Sequence, residues 1–241
     1  DAEDGATIPV SNPHDNSEMT RIAEAKEADV DKAVAAARAA FPAWRDMNPS
    51  DRGRLITRLA DKMEAHFDEL TELESVDTGH PIRDTRHLDL PRTLLNFRYF
   101  GGLADKIDGR QVPVEPGFLS IVKRQPVGVV GQIVPWNFPL MFCSWKLGPA
   151  LTAGNTVVMK PSELTPLTTL RLAELMRDVG FPHGVVNIVP GYGHTAGQHL
   201  AQHSEVNKIS FTGSTATGRK IIEASAGNLK RASLELGGKG A

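Results

Sequence analysis

Asn137, Lys160, Glu163 and Glu235 sit at or near the ends of apolar, β-branched runs, where the backbone turns and a polar side chain can meet a ligand. Asn137 follows Val134-Pro135-Trp136. A side-chain amide there can donate to an oxygen that turns negative during attack on a carbonyl, a contribution of roughly 3 kcal/mol in comparable sites. An Asn beside a Pro is equally at home in a plain turn. Lys160 and Glu163, in VVMKPSE, offer an ammonium and a carboxylate that can both reach the hydroxyls of a bound ribose. The competing reading is a solvated, weak ion pair. Glu235, in LELGGK, lies inside an apolar run. A carboxylate so enclosed would hold a proton more readily than one in water and suit a general base, unless it is a paired structural Glu.

Two glycine turns accompany these residues. Gly191 to Gly197 follows a strand-like run and opens a helix-like one, but its spacing is one residue longer than the dinucleotide fingerprint, and tight-turn chemistry explains it equally well. In FTGSTATG, from Phe211 to Gly218, a glycine lets the backbone approach an anion and a helix amino end favours the charge; an ordinary strand-to-helix turn has the same pattern. Cys143 is the single thiol. Placed between Phe142 and Trp145 on a helical segment, it reads as a small core residue and not a nucleophile. No G-x-S-x-G, P-loop or His-rich metal helix is present.

The elements that must position these groups are legible in the periodicity. Apolar runs at 128–134, 156–160, 185–189, 208–211 and 232–236 read as strands, and helices fit between them from about Leu140, Pro166, Thr195 and Thr215. Strands this apolar, spaced by helix-length intervals, predict an α/β fold with a Rossmann-like parallel sheet covered by helices on both faces, its ligands at the strand carboxyl ends. Side chains 137, 160 and 235 are expected around one cleft. Upstream, 29–41 predicts an Ala-rich helix stopped by Pro42, Ser50 a cap for a second helix, and 81–107 more helix. Residues 108–125 predict a hairpin turning at Pro116-Gly117. The division expected is 1–107 as the amino-terminal helical part of the cofactor-binding domain, 108–125 as the hairpin, and 126–241 as the Rossmann-like domain.

At 241 residues and 40% hydrophobic, the chain can bury a substantial core. Its 27 basic and 29 acidic residues are near balance, which argues against nucleic acid. One Cys excludes an intrachain disulfide, and eight scattered His lack the spacing of a zinc site, so no metal is expected. The uncharged stretch 127–145 contains Pro, Gly, Gln132 and Asn137, unlike a membrane helix. A reducing, cytoplasmic setting is the default.

Together, the segment from Pro126 to Glu163, FTGSTATG and LELGGK closely resemble the cofactor-binding half of the NAD(P)-dependent aldehyde dehydrogenases, and the resemblance runs over nearly all of the chain. It implies an aldehyde dehydrogenase fold and oxidation of an aldehyde to a carboxylic acid. It assigns Asn137 to stabilising the oxyanion and Glu235 to activating a thiol or the hydrolytic water. It puts Lys160, Ser162 and Glu163 at the adenosine ribose, where Glu163 favours NAD over NADP. It puts Gly193 and Gly197 near the adenine, Thr212, Gly213, Ser214 and Thr217 near the phosphates, and Val134, Pro135, Trp136, Phe211, Leu236 and Gly237 at the cofactor. The hairpin matches an arm through which relatives pair as homodimers or homotetramers. Met141, Phe142 and Trp145 suggest an apolar or aromatic entrance for the aldehyde. The 226–228 interval is a residue shorter than in some relatives.

The family's nucleophilic Cys lies some tens of residues beyond its LELGGK Glu, whereas this sequence runs from Asp1 to Ala241. The expectation is a truncated chain that lacks the catalytic domain and is inactive alone. Two other readings fit the same residues: a catalytically dead cofactor-binding or interaction module, and a CoA-acylating or acyl-phosphate-reducing enzyme of the same fold. Glu235 argues against the latter, which needs no hydrolytic base.

Overall fold

The computed structural model describes residues 2–239, so the expectations about Asp1 and Ala241 fall outside the described residues. The chain opens with an antiparallel hairpin, β1 (Thr7–Ser11) and β2 (Glu18–Ala23). Helices α1 (Glu27–Asp46), α2 (Pro49–Ala65) and α3 (Phe67–Thr78) follow. Next come α4 (Ile82–Asp84), a π-helical turn (Thr85–Asp89) and α5 (Leu90–Leu103).

Two readings of this region need correction. Pro42 does not stop α1, which runs on to Asp46. A proline inside a helix costs about 3 kcal/mol. The last turn is held by Trp44, which is fully buried with its ring 5.8 Å from that of Phe181. The Arg52 guanidinium also donates to the Trp44, Arg45 and Met47 carbonyls at 3.4, 3.3 and 2.6 Å. Ser50 does not cap α2: Asn48 does, its side chain accepting the Ser50 amide at 2.9 Å.

The expected hairpin forms from β3 (Arg110–Val112) and β4 (Ser120–Val122), with Gly117 at φ +94° in its turn. Phe118, Leu119 and Ile121 stand exposed on it.

Five parallel strands follow: β5 (Val129–Ile133), β6 (Thr156–Lys160), β7 (Val186–Ile188), β8 (Lys208–Gly213) and β9 (Arg231–Leu236). They are joined by α6 (Pro139–Thr152), α7 (Leu167–Asp178), a π-helical turn (Gly193–Gly197) with α8 (Gln198–Gln202), and α9 (Thr215–Ser225). Every residue of β5 and β6 is buried, as a sheet covered on both faces requires. Val157 and Met159 pack into a core with α2, α5, α6 and α7, while Val158 joins Val30, Val34 and Leu200 on the opposite face. Strand order is β7-β6-β5-β8-β9. The chain therefore winds outward from β5 in one direction and returns to its other side at β8. The crevice between the carboxyl ends of β5 and β8 is the switch point at which such sheets bind ligands.

Candidate active site

A cleft of about 730 Å³ opens at that switch point. The end of β5 supplies Pro135, Trp136 and Asn137; β8 supplies Thr212, Gly213 and Ser214; β9 supplies Glu235, Leu236 and Gly237. Phe142, Trp145 and Lys146 on α6 form the remaining wall.

The turn carrying Asn137 is tied down at both ends. Thr165 donates its hydroxyl to the Trp136 carbonyl at 2.8 Å. The Leu140 amide donates to Glu74 at 3.3 Å, and the other Glu74 oxygen meets the Thr168 hydroxyl at 2.6 Å. Between them, the His80 ring sets its edge against Phe138 at 5.0 Å. Burial pushes Glu74 up to about 8, so the group bridging the starts of α6 and α7 holds a proton at neutral pH.

Across the cleft, Ser214 caps α9 by accepting the Thr217 amide at 3.1 Å, and the Thr217 hydroxyl lies 2.9 Å from it. An eleven-residue helix thereby aims its amino end into the cleft beside Gly213, where the Phe211 ring leaves no room for a side chain: a Cβ there would lie 2.5 Å from it. The buried Thr212 hydroxyl, which lines the same cleft, has no hydrogen-bond partner among the described residues.

Register pairs Glu235 with Thr212 across β8 and β9. Glu235 is exposed, so the apolar enclosure expected from LELGGK does not surround it. Sequence reasoning missed Lys146, although a lysine amid the apolar WKLGPAL was the available signal. Only 7% exposed, it donates to Ser210 at 2.9 Å, and burial pulls it down to about 8 against the opposing pull of Glu235.

Lys160 is not among the residues lining this cleft. It is buried at the end of β6, donating to the Pro161 and Gly191 carbonyls at 2.7 and 2.8 Å and to Glu163 at 3.1 Å. Burial holds its pKa below the ordinary lysine value, so the solvated ion pair is not what forms. Gly197 sits on its stem: a Cβ there would lie 3.3 Å from Lys160 Cδ, while one on Gly193 would meet nothing within 4 Å. Ser162 accepts the Leu164 amide at 3.2 Å. The expected residues thus form two groups on neighbouring strand ends, one around the cleft and one around Lys160. Val134 and Phe211, at the same strand ends, are buried in the core clusters.

Cys143 is fully buried against Thr169 and Met159, and its thiol is pushed up to about 12, which suits packing and not attack. The histidines are not all scattered in space, contrary to the expectation: His199 and His203 converge on Asp31. No described helix is long and apolar enough to cross a membrane.

The chain matches the model of the aldehyde dehydrogenase family over residues 1–241. The mitochondrial aldehyde dehydrogenase of Homo sapiens is 51% identical over 243 residues, covering 99% of this chain and 47% of its own length. The structure of PnpE in complex with nicotinamide adenine dinucleotide superposes with a TM-score of 0.99 at 67% identity, over 100% of this chain and 50% of that one. The NAD+ complex of the Bacillus cereus aldehyde dehydrogenase gives 0.97 at 45% identity, over 99% and 49%. The chain spans about half the length of the relatives it matches. With the whole sequence matched by one family model and the backbone superposing on solved members, the chain belongs to the aldehyde dehydrogenase family.

Proposed function

We propose that this chain supplies the cofactor-binding half of an enzyme that oxidises an aldehyde to a carboxylic acid with NAD. The observation that carries the reading is the cleft at the switch point, where the Asn137 amide and the Glu235 carboxylate share one space with the amino end of α9 and with the Thr212 hydroxyl, which has no partner among the described residues. These residues fit a dinucleotide. The helix end and Gly213 suit a pyrophosphate, the Thr212 hydroxyl has no partner among the described residues, and the Glu163 carboxylate, held beside Lys160, suits a ribose on the neighbouring strand end. When bound, NAD accepts the hydride from the aldehyde carbon.

In this reading Asn137 donates its side-chain N–H to the carbonyl oxygen as negative charge grows there. Glu235, open to solvent and to the cleft, takes a proton from the attacking thiol or water. The thiol is assigned, through the family resemblance, to a residue outside this chain. Trp136, Phe142 and Trp145 wall the entrance with aromatic surface and favour an apolar or aromatic aldehyde. Glu163 disfavours a 2′-phosphate and so selects NAD over NADP. The exposed apolar tip of the β3–β4 hairpin supports association of copies into a dimer or tetramer.

Aldehyde-dependent formation of NADH tests the proposal. The polypeptide of the complete reading frame is expected to turn over and the 241-residue chain to be inactive, with weak or no NAD affinity. Turnover by the isolated chain would refute the division of labour, and inactivity of the complete protein toward any aldehyde would refute the activity.

A further inference from the structure

We propose that Asp31, His199 and His203 form a binding site for a divalent cation of the zinc type, apart from the cleft. His199 lies on α8 and His203 follows it by four residues at the helix end, so the two imidazoles project along one face. Asp31 reaches them from α1. Its Oδ1 stands 2.6 Å from His199 Nε2 and 3.2 Å from His203 Nε2, and the ligand atoms of all three lie within 4.8 Å of one another. Two imidazoles and a carboxylate are the donor set that zinc and its late first-row neighbours prefer, with the remaining position left to water.

The burial suits capture from solution. His203 and His199 are 12% and 25% exposed and therefore fixed, whereas Asp31 is 58% exposed and free to adjust. Around one ion with bonds of about 2.0–2.1 Å, tetrahedral ligand atoms sit roughly 3.3 Å apart. The Asp31–His199 contact thus has to open by well under the length of a bond, within reach of an exposed carboxylate.

Two features set a ceiling on affinity. The Glu205 amide donates to His203 Nδ1 at 3.1 Å, so the ring proton is on Nε2. Ligation through Nε2 moves that proton to Nδ1 and opens the Glu205 bond. The Lys230 ammonium also touches the His203 carbonyl at 2.8 Å and repels a cation. The site is therefore weaker than a closed four-ligand zinc site. It ties α1 to α8, so the bound ion stabilises the fold.

Calorimetric titration of zinc into the tag-free, chelator-treated chain tests this. One saturable equivalent is expected, with a rise in Tm. Loss of either histidine, in His199→Ala or His203→Ala, should lower affinity by at least about tenfold, the cost already typical of losing an outer-shell partner. His199→Gln, which can still hydrogen-bond Asp31, should keep the metal-free Tm yet lose the zinc response, separating ligation from folding. Absence of saturable binding, or binding unchanged in the His199→Ala/His203→Ala double variant, would overturn the proposal.

Discussion

The Lys146 ammonium is buried on the cleft wall and rests on the Ser210 hydroxyl at 2.9 Å, with no carboxylate within ion-pair distance among the described residues. Burial lowers its folded-state value from 10.5 to about 8. Below about 8 the lysine is charged in both folded and unfolded chains, and its full desolvation cost weighs on the fold. As pH rises from 8 toward 10.5 the folded chain releases its proton first, and the cost is relieved. Lys146→Met should therefore stabilise the chain at neutral pH by about 1–3 kcal/mol, after loss of the Ser210 bond, and the gain should fade by a pH of about 10. Urea denaturation at both pH values measures it; a destabilised variant at neutral pH would contradict the argument.

Glu74 and Asp77 titrate in the opposite sense. Burial raises them to about 8 and about 7. From about pH 4.5 upward the unfolded chain ionises Glu74 while the folded chain keeps its proton, so stability contributed at acid pH is lost as pH climbs to 8. Glu74→Gln keeps an acceptor for the Leu140 amide and places an N–H against the Thr168 hydroxyl, which can turn from donating to accepting, and should flatten this decline. Glu74→Ala leaves the Leu140 amide unpaired and should cost about 1–3 kcal/mol or more at pH 5, a cost that shrinks toward pH 8 as the wild type loses its own contribution from Glu74. Denaturant midpoints at pH 5 and 8 decide it: an unaltered pH slope in Glu74→Gln would show that another group is responsible.

The five parallel strands were legible because VVGQI and TVVMK are apolar without alternation, a pattern that only a doubly covered sheet satisfies. Asn137 was legible because Pro on either side of its tripeptide ends a strand and starts a helix. What escaped depends on contacts distant in sequence. Pro42 reads locally as a stop, and the partners that override it, Arg52 and Phe181, lie elsewhere. Glu235 reads as enclosed because its sequence neighbours are apolar, yet it stands at an exposed strand end. Lys146 and Asp31 acquire meaning through Ser210 and through His199 with His203, pairings that no local period encodes.

Asn137 is half-buried in a turn whose backbone is fixed on either side by Thr165 and Glu74, the setting in which the proposed function has its amide meet an oxyanion. In the complete enzyme, Asn137→Ala should lower kcat by about 100- to 1,000-fold while NAD affinity and Tm stay close to wild type. Steady-state kinetics beside NAD titration measures the split. A rise in KM with kcat unchanged would assign the amide to ground-state binding.

Thr212 offers a test that separates ligand binding from folding. Its hydroxyl is buried in the cleft lining without a partner among the described residues, so Thr212→Val removes an unsatisfied group and replaces it with a methyl of the same shape. Stability should hold within about 0.5 kcal/mol or rise. If that hydroxyl is reserved for the dinucleotide, NAD affinity of the complete enzyme should fall about fivefold, the equivalent of one hydrogen bond of about 1 kcal/mol. Thermal denaturation and NAD-induced fluorescence quenching give the two quantities. A destabilised variant with unchanged NAD affinity would mean that the hydroxyl serves the fold, and the argument that the cleft fits the cofactor through Thr212 would fail.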